Sequence, residues 1–263
     1  MKRHLFLVLN SVVMLACLLG IWQLLVVLLR VPKYMLPGPE LVARAFVERF
    51  PTLLDSFVLT SETAAIGLAA SVIAGVGIAL VFAQWRGLRR LLFPYTILLQ
   101  TVPIVAIAPL IVMWVGNGLH SVALVTFIIC LAPIIANVTQ GLISVDENLV
   151  HLFLMHKATA GQVLFKLRLP NAMPNLFVGI RISAGIAVIG AITGELFTGS
   201  SRVGQGGLGY SILYASSQME TDYLFALVCA ATVLGFSFFF IGMFLEWYFL
   251  HNWHESSRSD IPD

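Results

Sequence analysis

Between Arg90 and Asp146 the chain contains no Asp, Glu, Lys or Arg. A hydrocarbon core about 30 Å thick takes roughly 20 apolar residues of helix, so this run is long enough for two crossings. Gly116-Asn117-Gly118 divides it with turn-forming residues and predicts spans over 91–115 and 120–143. Three further charge-free runs, Leu5 to Leu29, Thr63 to Trp85 and Tyr223 to Leu245, predict one span each. A sixth, over 174–198, contains Arg181 and Glu195. With 59% hydrophobic and 11% charged residues and a mean hydropathy of +0.94, the 263-residue chain reads as an all-α integral membrane protein of about six transmembrane helices.

Lys and Arg in short loops set orientation. A cytoplasmic N-terminus puts Lys2, Arg3, Arg86, Arg89, Arg90, Lys157, Lys166, Arg168 and Arg258 inside, against Arg30, Lys33, Arg44, Arg49 and Arg202 outside. The expectation is therefore both termini in the cytoplasm, in a cytoplasmic (inner) membrane. Three units are expected: an anchor helix and extracytoplasmic segment over 1–55, a core over 56–250 with an inner loop at 145–171, and a cytoplasmic tail over 251–263. Met14-Leu15-Ala16-Cys17 faintly resembles a lipoprotein cleavage site, but the apolar run continues to Leu29, which reads as an anchor helix.

Met35-Leu36-Pro37-Gly38-Pro39 cannot continue a helix. After it, Leu41, Val42, Phe46, Val47 and Phe50 fall near helical spacing and predict a short helix at the membrane surface or packed on the protein. In the second span Ser71, Gly75 and Ala79 repeat every four residues, a seam on which another helix can approach closely. Pro94, Pro103, Pro109 and Pro133 predict kinks in the third and fourth spans. Cys17, Cys130 and Cys229 fall within predicted spans and read as small apolar side chains.

Gly204-Gln205-Gly206-Gly207-Leu208-Gly209 matches G-x-G-x-x-G, but it lies between two membrane spans and not in a strand–turn–helix unit, so it predicts a turning outer loop. None of the four lysines completes a phosphate-binding G-x-x-x-x-G-K-[ST]. The six histidines show no metal spacing, and no G-x-S-x-G elbow is present. No catalytic residue, metal, cofactor or nucleic-acid partner is expected.

Arg181 and Glu195 are the intramembrane charges, and such groups usually face a bundle interior or an aqueous path. They stand 14 residues apart, about 21 Å along a helix, so they cannot pair with each other. Glu62, at the outer start of the second span, is a candidate neighbour for Glu195. The inner loop from Val145 to Asn171 threads Leu149, Leu152, Phe153, Leu164 and Phe165 through a polar segment, which predicts helical pieces under the membrane domain. Gly161 is expected to break that pattern, and Pro170 with Pro174 to stop it and start the next span. A loop of this kind offers a surface to a cytoplasmic partner.

Gly161 followed by Leu167-Arg168-Leu169-Pro170 resembles the loop motif of the permease subunits of binding-protein-dependent ABC importers, in which Glu-Ala-Ala, three residues and Gly precede an aliphatic-x-Leu-Pro. The triplet falls on Met155, His156 and Lys157, none of which matches. Met35 to Pro39, Thr101-Val102-Pro103-Ile104-Val105-Ala106-Ile107-Ala108-Pro109-Leu110, Gly194-Glu195-Leu196 and Gly207-Leu208-Gly209-Tyr210 are similar to the subgroup that imports nitrate, sulfonates, taurine, thiamine-precursor pyrimidines and riboflavin. The resemblance implies a type-1 importer permease fold and a homodimer in the membrane. It also implies an ABC ATPase subunit dimer below, a solute-binding protein outside, and a coupling loop of Lys157, Ala158, Thr159, Ala160, Gly161, Gln162, Phe165, Leu169 and Pro170. Arg181, Glu195 and Glu62 are candidates for the solute path. The reading from another class, an ion-coupled secondary transporter, asks for midplane carboxylates and a repeated fold.

Overall fold

Eleven α-helices build the described part of the chain, with no strand among the described residues. The computed structural model describes residues 2–199 and 206–251, and their side chains except at 2–9, 11, 12 and 15. Arg202, Gly204-Gln205 and the predicted tail from residue 252, with Arg258, lie outside the described residues. In chain order the helices are α1 Lys2–Leu28, α2 Pro39–Glu48, α3 Phe50–Gln84, α4 Arg86–Thr101, α5 Ile104–Val115, α6 Leu119–Ile143, α7 Glu147–Met155, α8 Ala160–Val163, α9 Leu169–Phe197, α10 Leu208–Ser217 and α11 Thr221–Leu250. A π turn over Leu164–Arg168 joins α8 to α9, so helix runs unbroken from Ala160 to Phe197.

Four of these runs, α3, α6, α8 through α9, and α11, are each long and apolar enough to cross a membrane. The 27 residues of α1 measure about 40 Å. The predicted span over 91–115 is broken at Pro103, one of the expected kinks, where α4 and α5 meet at 98°. Proline restricts the residue before it to extended backbone, and Val102 (φ −71°, ψ 123°) ahead of Pro103 ends the helix there. Pro94, Pro109 and Pro133 stay inside their helices.

The core is the packing of α3, α6 and α9, with α11 on the far side of α9. Ala79 and Ala83 near the end of α3 cluster with Leu142 near the end of α6 and Ala172 near the start of α9. Thus α3 and α6 run in the same direction and α9 runs against them. Arg86 and the α7–α8 segment share one end of the molecule; α2, Gly116 to Gly118 and α10 share the other. The predicted seam is present: Ser71, Gly75 and Ala79 are all buried, and a Cβ on Gly75 would press on the Ile134 side chain of α6 at 2.7 Å. Ser71 Oγ also donates to the Phe127 carbonyl of α6 at 2.8 Å. The predicted helix after Pro39 is α2, and it packs on α11 with Val42 and Ala45 buried.

Candidate functional site

The inner segment forms from local rules. Asp146 caps α7 by accepting from Asn148 N–H at 2.8 Å. The helix ends in a Schellman motif, with Ala158 N–H donating to the Phe153 carbonyl at 3.0 Å and Lys157 N–H to Leu154 at 2.9 Å. Lys157 takes the left-handed position (φ 57°) that glycine usually fills. Thr159 and Gln162 then form a reciprocal capping box that starts α8. The break in helical pattern therefore lies at His156–Thr159, not at Gly161, which sits in the first turn of α8. Pro170 does not stop the helix either. It lacks an N–H and its ring crowds the carbonyl four residues back, and the wider π turn over Leu164–Arg168 lets the chain wind through.

The segment is anchored on one side and bare on the other. Val163 and Leu164 are buried, Leu164 against Ala83, Leu142 and Ala172. Gly161, Gln162 and Phe165 are exposed, as are Lys157, Thr159 and Ala160; Ala158, Leu169 and Pro170 are half-buried. No residue of α7 is buried, and Met155 (82%) and Phe165 (62%) are largely open. Between α7 and α8 lies a cavity of about 280 Å³ lined by Leu152, Phe153, His156, Ala158, Gln162 and Lys166. Large apolar side chains left open beside a polar-rimmed cavity mark an interaction surface.

Two side chains tie this segment to the spanning helices. Arg168 Nη1 donates to the Ala83 carbonyl at 2.9 Å, one of the last four carbonyls of α3, which have no partner within that helix. Asn171 Nδ2 donates to the Gly141 carbonyl in the last turn of α6 at 3.1 Å. Arg168 and Asn171 were not singled out from the sequence as contacts, because a carbonyl partner leaves no residue-type signal.

Arg181, Glu195 and Glu62 are not brought together. Arg181 Nη1 meets Glu246 Oε2 of α11 at 2.8 Å, a half-buried ion pair. Glu195, 4% exposed, accepts from Thr60 Oγ1 at 2.9 Å, Thr63 Oγ1 at 3.5 Å and Gly209 N–H at 2.9 Å. Thr60 Oγ1 also accepts from Leu208 N–H at 2.7 Å, and Ser56 and Ser211 hydroxyls meet at 2.9 Å. The buried carboxylate thus pins α10 to α3 and α9. Glu62 is exposed and corrects the expected neighbour of Glu195, since it stands two residues from Thr60 and so points away from it.

At the Val102–Pro103 break a cavity of about 340 Å³ opens among α4, α5, α6 and α9, lined by Gln100, Ile104, Ile107, Pro133 and Ile186 among others. No charged residue lines it. Val102, Ile104 and Ile107, from the Thr101 to Leu110 stretch singled out in the sequence, form part of its wall.

The model of the binding-protein-dependent transport system inner membrane component family matches residues 63–248. A probable ABC transporter permease of Haemophilus influenzae is 31% identical over 218 residues, covering 83% of this chain and 87% of that protein. The formylaminopyrimidine transport permease ThiX of Halalkalibacterium halodurans is 30% identical over 219 residues, covering 83% and 85%. The riboflavin transport permease RibX of Chloroflexus aurantiacus is 32% identical over 236 residues, covering 89% and 86%. Among solved structures, a chain of the inward-facing MetNI methionine ABC transporter aligns with a TM-score of 0.55 at 20% identity, covering 80% of this chain and 97% of that one, which shows a shared fold. The chain belongs to the binding-protein-dependent transport system inner membrane components and is a permease subunit of an ABC importer.

Proposed function

We propose that this permease works as a homodimer, with its α7–α8 segment seated in a cytoplasmic ABC ATPase dimer and its opposite end receiving solute from an extracytoplasmic binding protein. The chain itself hydrolyses nothing; the ATPase supplies that step. The observation that carries the reading is the segment from Met155 to Asn171, which leaves Met155, Gly161 and Phe165 exposed and is fastened to α3 and α6 through Arg168 and Asn171. When the ATPases close, displacement of α8 pulls on the ends of α3 and α6 together, and the helices that wall the Pro103 cavity shift with them. Placing α7–α8 in the cytoplasm puts both termini there and agrees with the three arginines after Trp85. On the same reading, residues 1–55 form the anchor and outer segment, 56–250 the transporting core and 251–263 the tail.

The cargo is a small solute, and the binding protein selects it. The cation-free lining at Pro103 favours an uncharged planar solute, a thiamine-precursor pyrimidine or riboflavin, over nitrate, sulfonate or taurine, which need a positive partner when desolvated. The names of the ThiX and RibX relatives point the same way. The ion-coupled alternative finds no support in the family or the relatives. The test is uptake of radiolabelled pyrimidine or riboflavin into vesicles holding the permease, its ATPase and its binding protein. Uptake that requires ATP and all three supports the reading; uptake without the ATPase overturns it.

A further inference from the structure

The cavity of about 280 Å³ between α7 and α8 has two kinds of wall. Leu152, Phe153 and Ala158 line it with apolar surface, and His156, Gln162 and Lys166 bring its polar groups. Gln162 and Lys166 stand four residues apart and share one face of the run through α8 and the π turn, while Leu164 between them is buried on the opposite side. Two of the polar side chains are held by local bonds. His156 Nδ1 donates to the Leu152 carbonyl at 2.8 Å, and Gln162 Oε1 accepts from Thr159 N–H at 2.8 Å. The second bond occupies the amide oxygen and leaves the Gln162 amide nitrogen as a donor.

The cavity therefore presents a donor amide and an ammonium group beside apolar surface, and no carboxylate of its own. Among the described residues Lys166 pairs with no acid. From Met155 to Asn171 the chain carries Lys157, Lys166 and Arg168 and neither Asp nor Glu. The acids of the inner segment, Asp146 and Glu147, stand at the far end of α7, about 14 Å from His156. Small-molecule pockets run to about 300–1,000 Å³, so this cavity is matched to a single side chain. A charge of one sign on the lining calls for a partner group of the other.

We infer that this cavity receives an acidic side chain of the ABC ATPase, its carboxylate against Lys166 Nζ and the Gln162 amide and its methylenes on Leu152, Phe153 and Ala158. The inference rests on the ATPase docking proposed above and adds the chemistry of one contact. It is tested on the permease co-purified with its ATPase and treated with a carbodiimide, which condenses a lysine amine and a carboxylate in direct contact into an amide. The linked peptides are mapped by mass spectrometry, and Lys166 links to a Glu or Asp of the ATPase. Lys166→Glu, at an exposed position, melts as wild type does and weakens ATPase binding roughly thirtyfold or more, while Lys166→Arg retains it. Lys157→Glu reverses a charge outside the cavity lining and weakens binding by no more than about fivefold. A complex in which Lys166 links to nothing, or only to a carboxylate of the permease itself, overturns the inference. Equal weakening by the two reversals also overturns it, because the partner then senses net charge and not the cavity. If Gly161→Trp releases the ATPase and Lys166→Glu does not, docking stands and this contact falls; if both variants retain the ATPase, the docking reading falls with it.

Discussion

Arg49 and Glu220 clamp the start of α3 to the start of α11. Both terminal guanidinium nitrogens, Nη1 and Nη2, reach the carboxylate, Nη2 at 2.8 Å from Oε1, and the guanidinium lies 4.7 Å over the ring of Tyr223. Glu220 reaches this position because Met219 (φ 56°) ends α10 in a Schellman motif that turns the chain back. The hydrogen bond from Arg49 holds the Glu220 carboxyl below the ordinary carboxylate range and raises the Arg49 guanidinium. A carboxyl depressed in the folded state contributes stability above its unfolded value, about 4.3, and loses it as pH falls through the folded value.

Glu220→Gln removes that acid limb. In melting curves taken from neutral to acidic pH, wild type loses stability that the variant never had, by at most about 1 kcal/mol because the pair is partly exposed. Curves that stay parallel across the carboxylate range count against the clamp.

Gly161→Trp separates docking from folding. A Cβ at Gly161 meets nothing nearer than Thr159 Oγ1 at 4.0 Å, so the variant inserts and melts as wild type does. ATP-driven uptake in vesicles drops to background and the ATPase no longer co-purifies, because the indole occupies the face the partner needs. Normal uptake by a folded Gly161→Trp protein removes α8 from the coupling surface.

The Glu195 network leaves no room at α10. A methyl on Gly209 would overlap the Ile192 carbonyl and approach Glu195 Cβ at 2.8 Å. Gly209→Ala should cost about 1–3 kcal/mol in thermal unfolding. Gly185→Ala on α9, where a Cβ meets nothing within 4 Å, should be neutral or slightly stabilising. Similar effects for both substitutions would mean α10 is not pinned as described.

Arg181 and Glu246 test whether a half-buried membrane pair acts through charge. Arg181→Ala and Glu246→Ala each leave one unpaired charge and lower stability by about 1–3 kcal/mol. The exchange Arg181→Glu with Glu246→Arg recovers most of the loss that either single reversal causes. A double exchange no better than the sum of the reversals shows that packing, such as the 3.1 Å approach a Cβ on Gly242 would make to the Arg181 Cα, carries the site.

What the sequence could show was composition along a line: where charge stops, where small residues repeat and where a polar loop keeps apolar teeth. The charge-free runs, the Ser71–Gly75–Ala79 seam and the inner helical pieces were legible for that reason. Pro103 marked a kink, but its 98° size was not legible, since hydropathy counts residues and does not record direction. Glu195 stood out as an odd charge, but its partners Thr60 and Thr63 are uncharged hydroxyls one helical turn apart and blend into the span. Glu246 stands one residue beyond a charge-free run and looked like an ordinary end marker.

The π turn between Leu164 and Arg168 carries one more residue per hydrogen-bonded loop than the helix on either side. In an α-helix each residue turns the chain by about 100° and advances it 1.5 Å. Tightening that single turn to α geometry would therefore rotate Gly161 and the Thr159 cap about the axis of α9 by roughly a quarter of a circle, with a translation of about 1.5 Å. The joint is a screw: a small torque on the bare face and a change of winding in the membrane helix are the same motion.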